Sequence, residues 1–96
     1  MISDYTFGYC SALTSIELPE CSLISGYDAF EKCIGLTNIS LSKCTSIGYG
    51  AFSNCTNLIS INLPECITVG SYAFYNCTNL SSITLEKCTT ISYNAF

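Results

Sequence analysis

The feature that most constrains this chain is a phenylalanine that returns at an almost constant interval. The column is Phe7, Phe30, Phe52, Phe74 and Phe96. Its last three intervals are equal, and the first is longer by a single position. Cys10, Cys33, Cys55 and Cys77 follow at a constant offset, as do Leu13, Leu36, Leu58 and Leu80. Then come Ile16, Ile39, Ile61 and Ile83, and Leu18, Leu41, Leu63 and Leu85. A second cysteine column (Cys21, Cys44, Cys66, Cys88) and an aliphatic column (Ile2, Ile24, Ile47, Val69, Ile91) complete each period. Phe, Cys and Leu follow one another at the three-residue spacing of a tight turn. Ile and the next Leu alternate with polar residues, which is the pattern of a strand with one buried face. One such unit cannot bury its own apolar side, so the period means a solenoid in which stacked units bury each other. The strands, over 13–18, 36–41, 58–63 and 80–85, are expected to pair in parallel about 4.8 Å apart, with each side chain above its copy. Gly26, Gly48, Gly50 and Gly70 lie in the bend before Ala-Phe, and Pro19 and Pro64 follow the last strand leucine, where a missing N–H is tolerated.

Composition removes several classes of function. Apolar residues make up 49% and charged residues 10%, which is too apolar for disorder. The net charge is −4, and the basic residues are three lysines, with no histidine. A nucleic-acid partner needs a basic stripe that three lysines cannot supply, and an anionic membrane surface is disfavoured for the same reason. No apolar run approaches the roughly 20 residues of a membrane span, so no membrane insertion is expected. The chain does not open on a basic segment leading into an apolar one, so no signal peptide is visible in it.

The residues also carry a family resemblance. L-x-x-I-x-L, a bend with Pro, an aliphatic residue and then A-F-x-x-C-x-x-L is similar to the BspA-like (Treponema-type) leucine-rich repeat. The segment with Ala51, Phe52, Cys55 and Leu58 and the one with Ala73, Phe74, Cys77 and Leu80 match best. Ala29, Phe30 and Cys33 match too, and Thr6-Phe7 lacks the alanine. The second cysteine column departs from the family pattern, and three of the four intervals are one position shorter than the usual family unit. The resemblance implies an α/β, mainly β, right-handed leucine-rich-repeat solenoid, with short parallel strands on the concave face and turns or 3₁₀ segments on the convex face. Residues 1–96 read as one repeat domain, four full repeats with partial repeats at each end, taken from a longer array. By resemblance the function is protein recognition or adhesion at a cell surface, with a host protein, a matrix protein or a glycan as partner. The alternative is a scaffold array that self-associates end to end through unpaired strand edges.

Eight cysteines admit three readings. Metal ligation favours Cys-x-x-Cys pairs or Cys/His clusters, but successive cysteines here stand half a repeat apart and there is no histidine. Disulfides within a column meet the Cα distance but not the geometry, because stacked Cβ vectors point the same way. Two columns of buried free thiols, packing as small hydrophobes, fit best. No catalytic residue is expected. No histidine can act as base for a cysteine, and the carboxylates Asp4, Glu17, Glu20, Asp28, Glu31, Glu65 and Glu86 are scattered over different columns. No cofactor and no metal are expected either.

The positions that could bind a partner are the polar alternates of the strands: Ser15 and Glu17, Asn38 and Ser40, Ser60 and Asn62, Ser82 and Thr84. They suit hydrogen bonding to a protein or glycan, and they read equally well as a plain solvated face. Glu20, Lys43, Glu65 and Lys87 alternate in sign from one repeat to the next, which reads as a device that sets register. Seven tyrosines avoid the strands and suit a half-buried wall better than a partner surface. Sequons occur at Asn38, Asn54, Asn76 and Asn79, as expected by chance in a chain this rich in Ser, Thr and Asn.

Overall fold

The structure is a computed structural model and describes residues 7–96; the expectation for Ile2 lies outside the described residues. The expected parallel strands form, as β1 (Ser15–Glu17), β3 (Asn38–Ser40), β5 (Ser60–Asn62) and β7 (Ser82–Thr84). They pair in the order β1-β3-β5-β7, all parallel. The register puts Ile16, Ile39, Ile61 and Ile83 in one row, as the columns require. Each strand is shorter than the expected span, because the flanking leucines already belong to turns.

Away from this sheet the expected turns form around the phenylalanine of each repeat. Beside them lies a second parallel sheet of two-residue strands that was not expected, β2 (Leu23–Ile24), β4 (Ser46–Ile47), β6 (Thr68–Val69) and β8 (Thr90–Ile91). No helix of either kind occurs among the described residues. The reason lies in how backbone N–H groups are shared. The Cys55 N–H closes a turn on the Phe52 carbonyl at 3.3 Å, but the Asn54 N–H before it reaches the next rung, donating to the Tyr75 carbonyl at 2.8 Å. Alternate donors are thus committed between rungs, and a three-residue turn cannot propagate into a helix.

The three-residue spacings seen in the sequence are these turns. In every repeat the cysteine N–H donates to the Phe carbonyl, and the leucine N–H to the cysteine carbonyl. The second cysteine N–H donates to the last strand leucine. Between the turns the Phe wall is itself laddered: the Phe30, Phe52 and Phe74 N–H groups donate to the Ala51, Ala73 and Ala95 carbonyls at 2.7 Å.

The core is a set of stacked columns. Phe30, Phe52 and Phe74 are almost wholly buried, and their rings stack nearly parallel between Phe7 and Phe96, with centroids 5.0, 5.0, 5.5 and 5.3 Å apart along the column. Rung spacing sets this distance, and it falls within the range of offset stacking. Leu36, Leu41, Leu58, Leu63, Ile47 and Val69 fill the rest of the interior. Each such side chain contributes about 1.5–3 kcal/mol by leaving water.

Two positions per turn take left-handed backbone. Two residues before the phenylalanine, Asp28, Gly50, Tyr72 and Asn94 have φ between 52° and 62°; two residues after it, Tyr9, Lys32, Asn54 and Asn76 have φ between 57° and 62°. Asn and Gly adopt this region at little cost, whereas a residue with a full side chain pays about 1–2 kcal/mol. Gly50 is the one bend glycine that uses this freedom. Gly48 and Gly70 are needed for close approach instead: a Cβ at Gly48 would lie 2.9 Å from the Ile24 carbonyl oxygen, and one at Gly70 would lie 2.7 Å from the Gly48 carbonyl carbon. Asn54 adds side-chain bonds, donating from Nδ2 to Ser53 Oγ and accepting from Asn76 Nδ2 at 3.0 Å. Asn54→Ala is therefore expected to destabilise by about 1–2 kcal/mol, and Asn54→Gly by clearly less. Urea melts followed by circular dichroism measure both, and equal losses would remove backbone strain as the cause.

Candidate interaction face

The structure brings all eight sequence-predicted residues together on the outer face of the first sheet. Strand alternation sends Ile16, Ile39 and Ile61 inward and their neighbours outward. Parallel pairing in register then aligns the outward residues into two straight columns. Ser15, Asn38, Ser60 and Ser82 form one, and Glu17, Ser40, Asn62 and Thr84 the other. Ser15, Glu17, Asn38, Asn62 and Ser82 are exposed, and Ser40, Ser60 and Thr84 half-buried. The first column is partly preorganised. Ser60 donates to Asn38 Oδ1 at 2.6 Å, Asn38 Nδ2 to Thr37 Oγ1 at 3.1 Å, and Thr37 Oγ1 to the Thr14 carbonyl at 3.1 Å.

Sequence reasoning passed over the column beside this face, Thr14, Thr37, Ile59 and Ser81. Its hydroxyls bond back to the rung before, as in Thr37 to Thr14 and Ser81 to the Ile59 carbonyl. Ile59 breaks the column with an apolar side chain that is 48% exposed. The available signal was that one substitution of Ile for Thr or Ser within a column.

The charge column pairs as expected, but in twos. Lys43 Nζ sits 3.1 Å from Glu20 and Lys87 Nζ 2.8 Å from Glu65, whereas among the described residues no ion pair joins Lys43 to Glu65. The Glu65 carboxylate holds the Lys87 ammonium above its usual range through this hydrogen bond. Pairs this exposed contribute little energy; their effect is to penalise a one-rung slip, which would oppose like charges. The third lysine, Lys32, lies over the Tyr9 ring, 5.3 Å from its centroid.

All eight cysteines are free thiols, with Cys33, Cys44, Cys55 and Cys66 buried and the other four half-buried. They hydrogen-bond in two ways. In the first column the thiol donates to the phenylalanine carbonyl of the preceding rung: Cys33 to Phe7 at 3.0 Å, Cys55 to Phe30 at 3.2 Å and Cys77 to Phe52 at 3.1 Å. In the second it donates to the carbonyl two residues on, as in Cys44 to Ser46 and Cys66 to Thr68. Burial pushes these thiols up, those of Cys66 and Cys77 to about 11 and that of Cys55 further still. Cys33 and Cys44 shift in the same direction for the same reason. A thiol held protonated is a poor nucleophile and a poor metal ligand. Among the described residues no three His, Cys, Asp or Glu side chains converge as a metal site. A depression of about 210 Å³ at the first turn is lined by Phe7, Leu13, Ile16, Leu18 and Phe30, and Glu17 is the one titratable side chain on its wall. A lone carboxylate cannot do paired acid–base work.

Parallel strands, stacked columns and a near-constant repeat length define a leucine-rich-repeat solenoid. The chain belongs to the BspA-type leucine-rich-repeat family, whose model matches residues 1–96 in six copies. No curated protein and no solved structure matches the chain. It is thus a repeat protein of a class that often binds other proteins. Among the described residues no helix is long and apolar enough to cross a membrane.

Proposed function

We propose that the chain is a non-enzymatic recognition module of the adhesion type, working at a cell surface and binding a partner protein or glycan through the outer face of the first sheet. The supporting observation is the alignment of Ser15, Asn38, Ser60 and Ser82 beside Glu17, Ser40, Asn62 and Thr84. This is a rigid array of hydrogen-bonding groups at rung spacing, held by backbone pairing rather than by loops. Rigid donors and acceptors lose little entropy on binding. Nucleic acid is not a partner in this reading: two of the three lysines are engaged in ion pairs and the third lies on a tyrosine.

The test is binding of the chain to arrays of matrix proteins and of glycans, alongside the double variant Asn38→Arg/Asn62→Arg. Both positions are exposed, so the variant keeps the fold while covering the face. A true ligand is expected to weaken about tenfold or more, equivalent to about 1.4 kcal/mol. A ligand that binds both proteins alike would move the site elsewhere.

A further inference from the structure

One corner of the solenoid carries a second column of aromatic rings, on the outside. Tyr27 and Tyr49 meet edge to face with centroids 5.5 Å apart, Tyr49 and Tyr72 are tilted at 5.5 Å, and Tyr72 meets Tyr93 at 6.2 Å. Tyr75 joins the same group, 5.3 Å from Tyr72. Unlike Phe30, Phe52 and Phe74, four of these rings face solvent, with Tyr27 59%, Tyr49 46%, Tyr75 46% and Tyr93 73% exposed, and Tyr72 is half-buried. Their orientations vary between 52° and 83°, so they offer no flat platform for a sugar ring. Tyr72 enters the column from a left-handed backbone position where the other repeats use Asp, Gly or Asn. The ring contacts therefore run unbroken across four rungs despite the change in local sequence. Tyr5 lies outside the described residues.

We infer that this tyrosine column is an oxidative cross-linking site, at which a peroxidase-type one-electron oxidant with hydrogen peroxide couples tyrosines of adjacent rungs into dityrosine. Each of two phenols loses one electron and its phenolic proton to the oxidant. The two radicals, whose spin density extends to the ring carbons ortho to oxygen, join through one new carbon–carbon bond. The hydrogens on the two bonded carbons then leave as protons while the phenolic oxygens are reprotonated. The pair loses two hydrogens in all, and one hydrogen peroxide becomes two waters.

Three features make tyrosine the reacting side chain. The chain has no tryptophan and no histidine. Cys33, Cys44, Cys55 and Cys66, which would otherwise quench a radical, are buried, and their thiols are bonded to backbone carbonyls. The coupling partner is already in contact, so the second-order step becomes intramolecular, with an effective concentration far above that of a second molecule in dilute solution. Exposure leaves the rings room to turn their ortho carbons together. A Tyr27–Tyr49 bond joins consecutive rungs and closes a loop that the unfolded chain must then carry, as a disulfide would.

The experiment treats the full chain, at low concentration and with accessible thiols blocked, with a peroxidase and hydrogen peroxide. Dityrosine fluorescence, peptide mapping and the urea midpoint are then measured. The expected product is a monomer that has lost two hydrogens per link. Linked peptides should join Tyr27 to Tyr49 or Tyr49 to Tyr72, and the urea midpoint should be higher. Tyr9 is the internal control: it is 60% exposed, and among the described residues its ring meets the Lys32 ammonium rather than another tyrosine ring. It is expected to stay unlinked. Tyr49→Phe keeps the ring and is expected to lose both named links while Tyr72 still couples to Tyr75 or Tyr93. Coupling mainly between molecules, consumption of Tyr9 at the rate of Tyr49, or an unchanged link pattern in Tyr49→Phe would each overturn the assignment.

Discussion

Ile61→Asp is expected to destabilise the protein by several kcal/mol, while Asn62→Asp, one residue on, shifts stability by no more than about 0.5 kcal/mol. Ile61 is 2% exposed and sits in register between Ile39 and Ile83, so a carboxylate there has no partner and two apolar neighbours. Asn62 points the other way, into water, between Ser40 and Thr84. The two substitutions introduce the same charge at adjacent positions, and only the strand's side-chain parity separates them. Rung position gives a second contrast. Ile83 is half-buried, so Ile83→Asp is expected to cost less than Ile61→Asp, because part of its surface already meets water. Urea melts followed by far-ultraviolet circular dichroism suit a chain without tryptophan. Equal losses at positions 61 and 62 would mean that the strand faces are assigned the wrong way round.

That parity was legible in the sequence because strand and turn leave different spacings. Leu58, Ile61 and Leu63 announce both, and repetition turns each residue into a column whose pairing follows without further information. The ladder Ile16, Ile39, Ile61 and Ile83 is the clearest case. The second sheet was not legible, for a physical reason. Its strands are two residues long; β2, β4 and β6 each bury a single side chain, Ile24, Ile47 or Val69, and β8 buries none. One buried residue has no period, so a strand of that length looks like a bend. The left-handed positions were half legible. Asn54, Asn76 and Asn94 carried a signal, but Tyr9, Lys32 and Tyr72 take the same φ with no sequence mark, because the stacked neighbours impose it. The candidate face was legible as positions, yet its internal order was not. Ser60 bonding to Asn38 depends on rotamers set between rungs. The thiol bonds show the same limit. That a cysteine closes a turn on its own phenylalanine follows from a spacing of three, but that its sulfur reaches the phenylalanine one rung back does not.

Those thiols govern the second large effect, a loss of stability in alkali. Cys33, Cys44, Cys55, Cys66 and Cys77 all have folded-state values raised above the ordinary 9.0, chiefly because burial disfavours the thiolate. In the unfolded chain the same groups return to ordinary values and ionise first. Below about pH 9 both states hold their protons, and the thiols favour neither. Above it the unfolded chain binds fewer protons than the folded one, so stability falls as pH rises. The fall continues through the folded values, about 11 for Cys66 and Cys77. Each thiol contributes a slope of at most about 1.4 kcal/mol per pH unit, and several titrating together outweigh the margin of a domain this small. Loss of charge on Lys87 acts in the same direction, since Glu65 holds its ammonium above the usual range. Anaerobic urea melts with a reductant, taken at steps from pH 7 to 11, are expected to show a plateau followed by a steep decline. Cys66→Ala removes one titrating group, so its curve should start lower, for the atoms removed from the core, and fall less steeply. A wild-type curve that stays level across the window would mean that water already reaches both thiol columns, and the packing of the core around Phe52 would have to be redrawn.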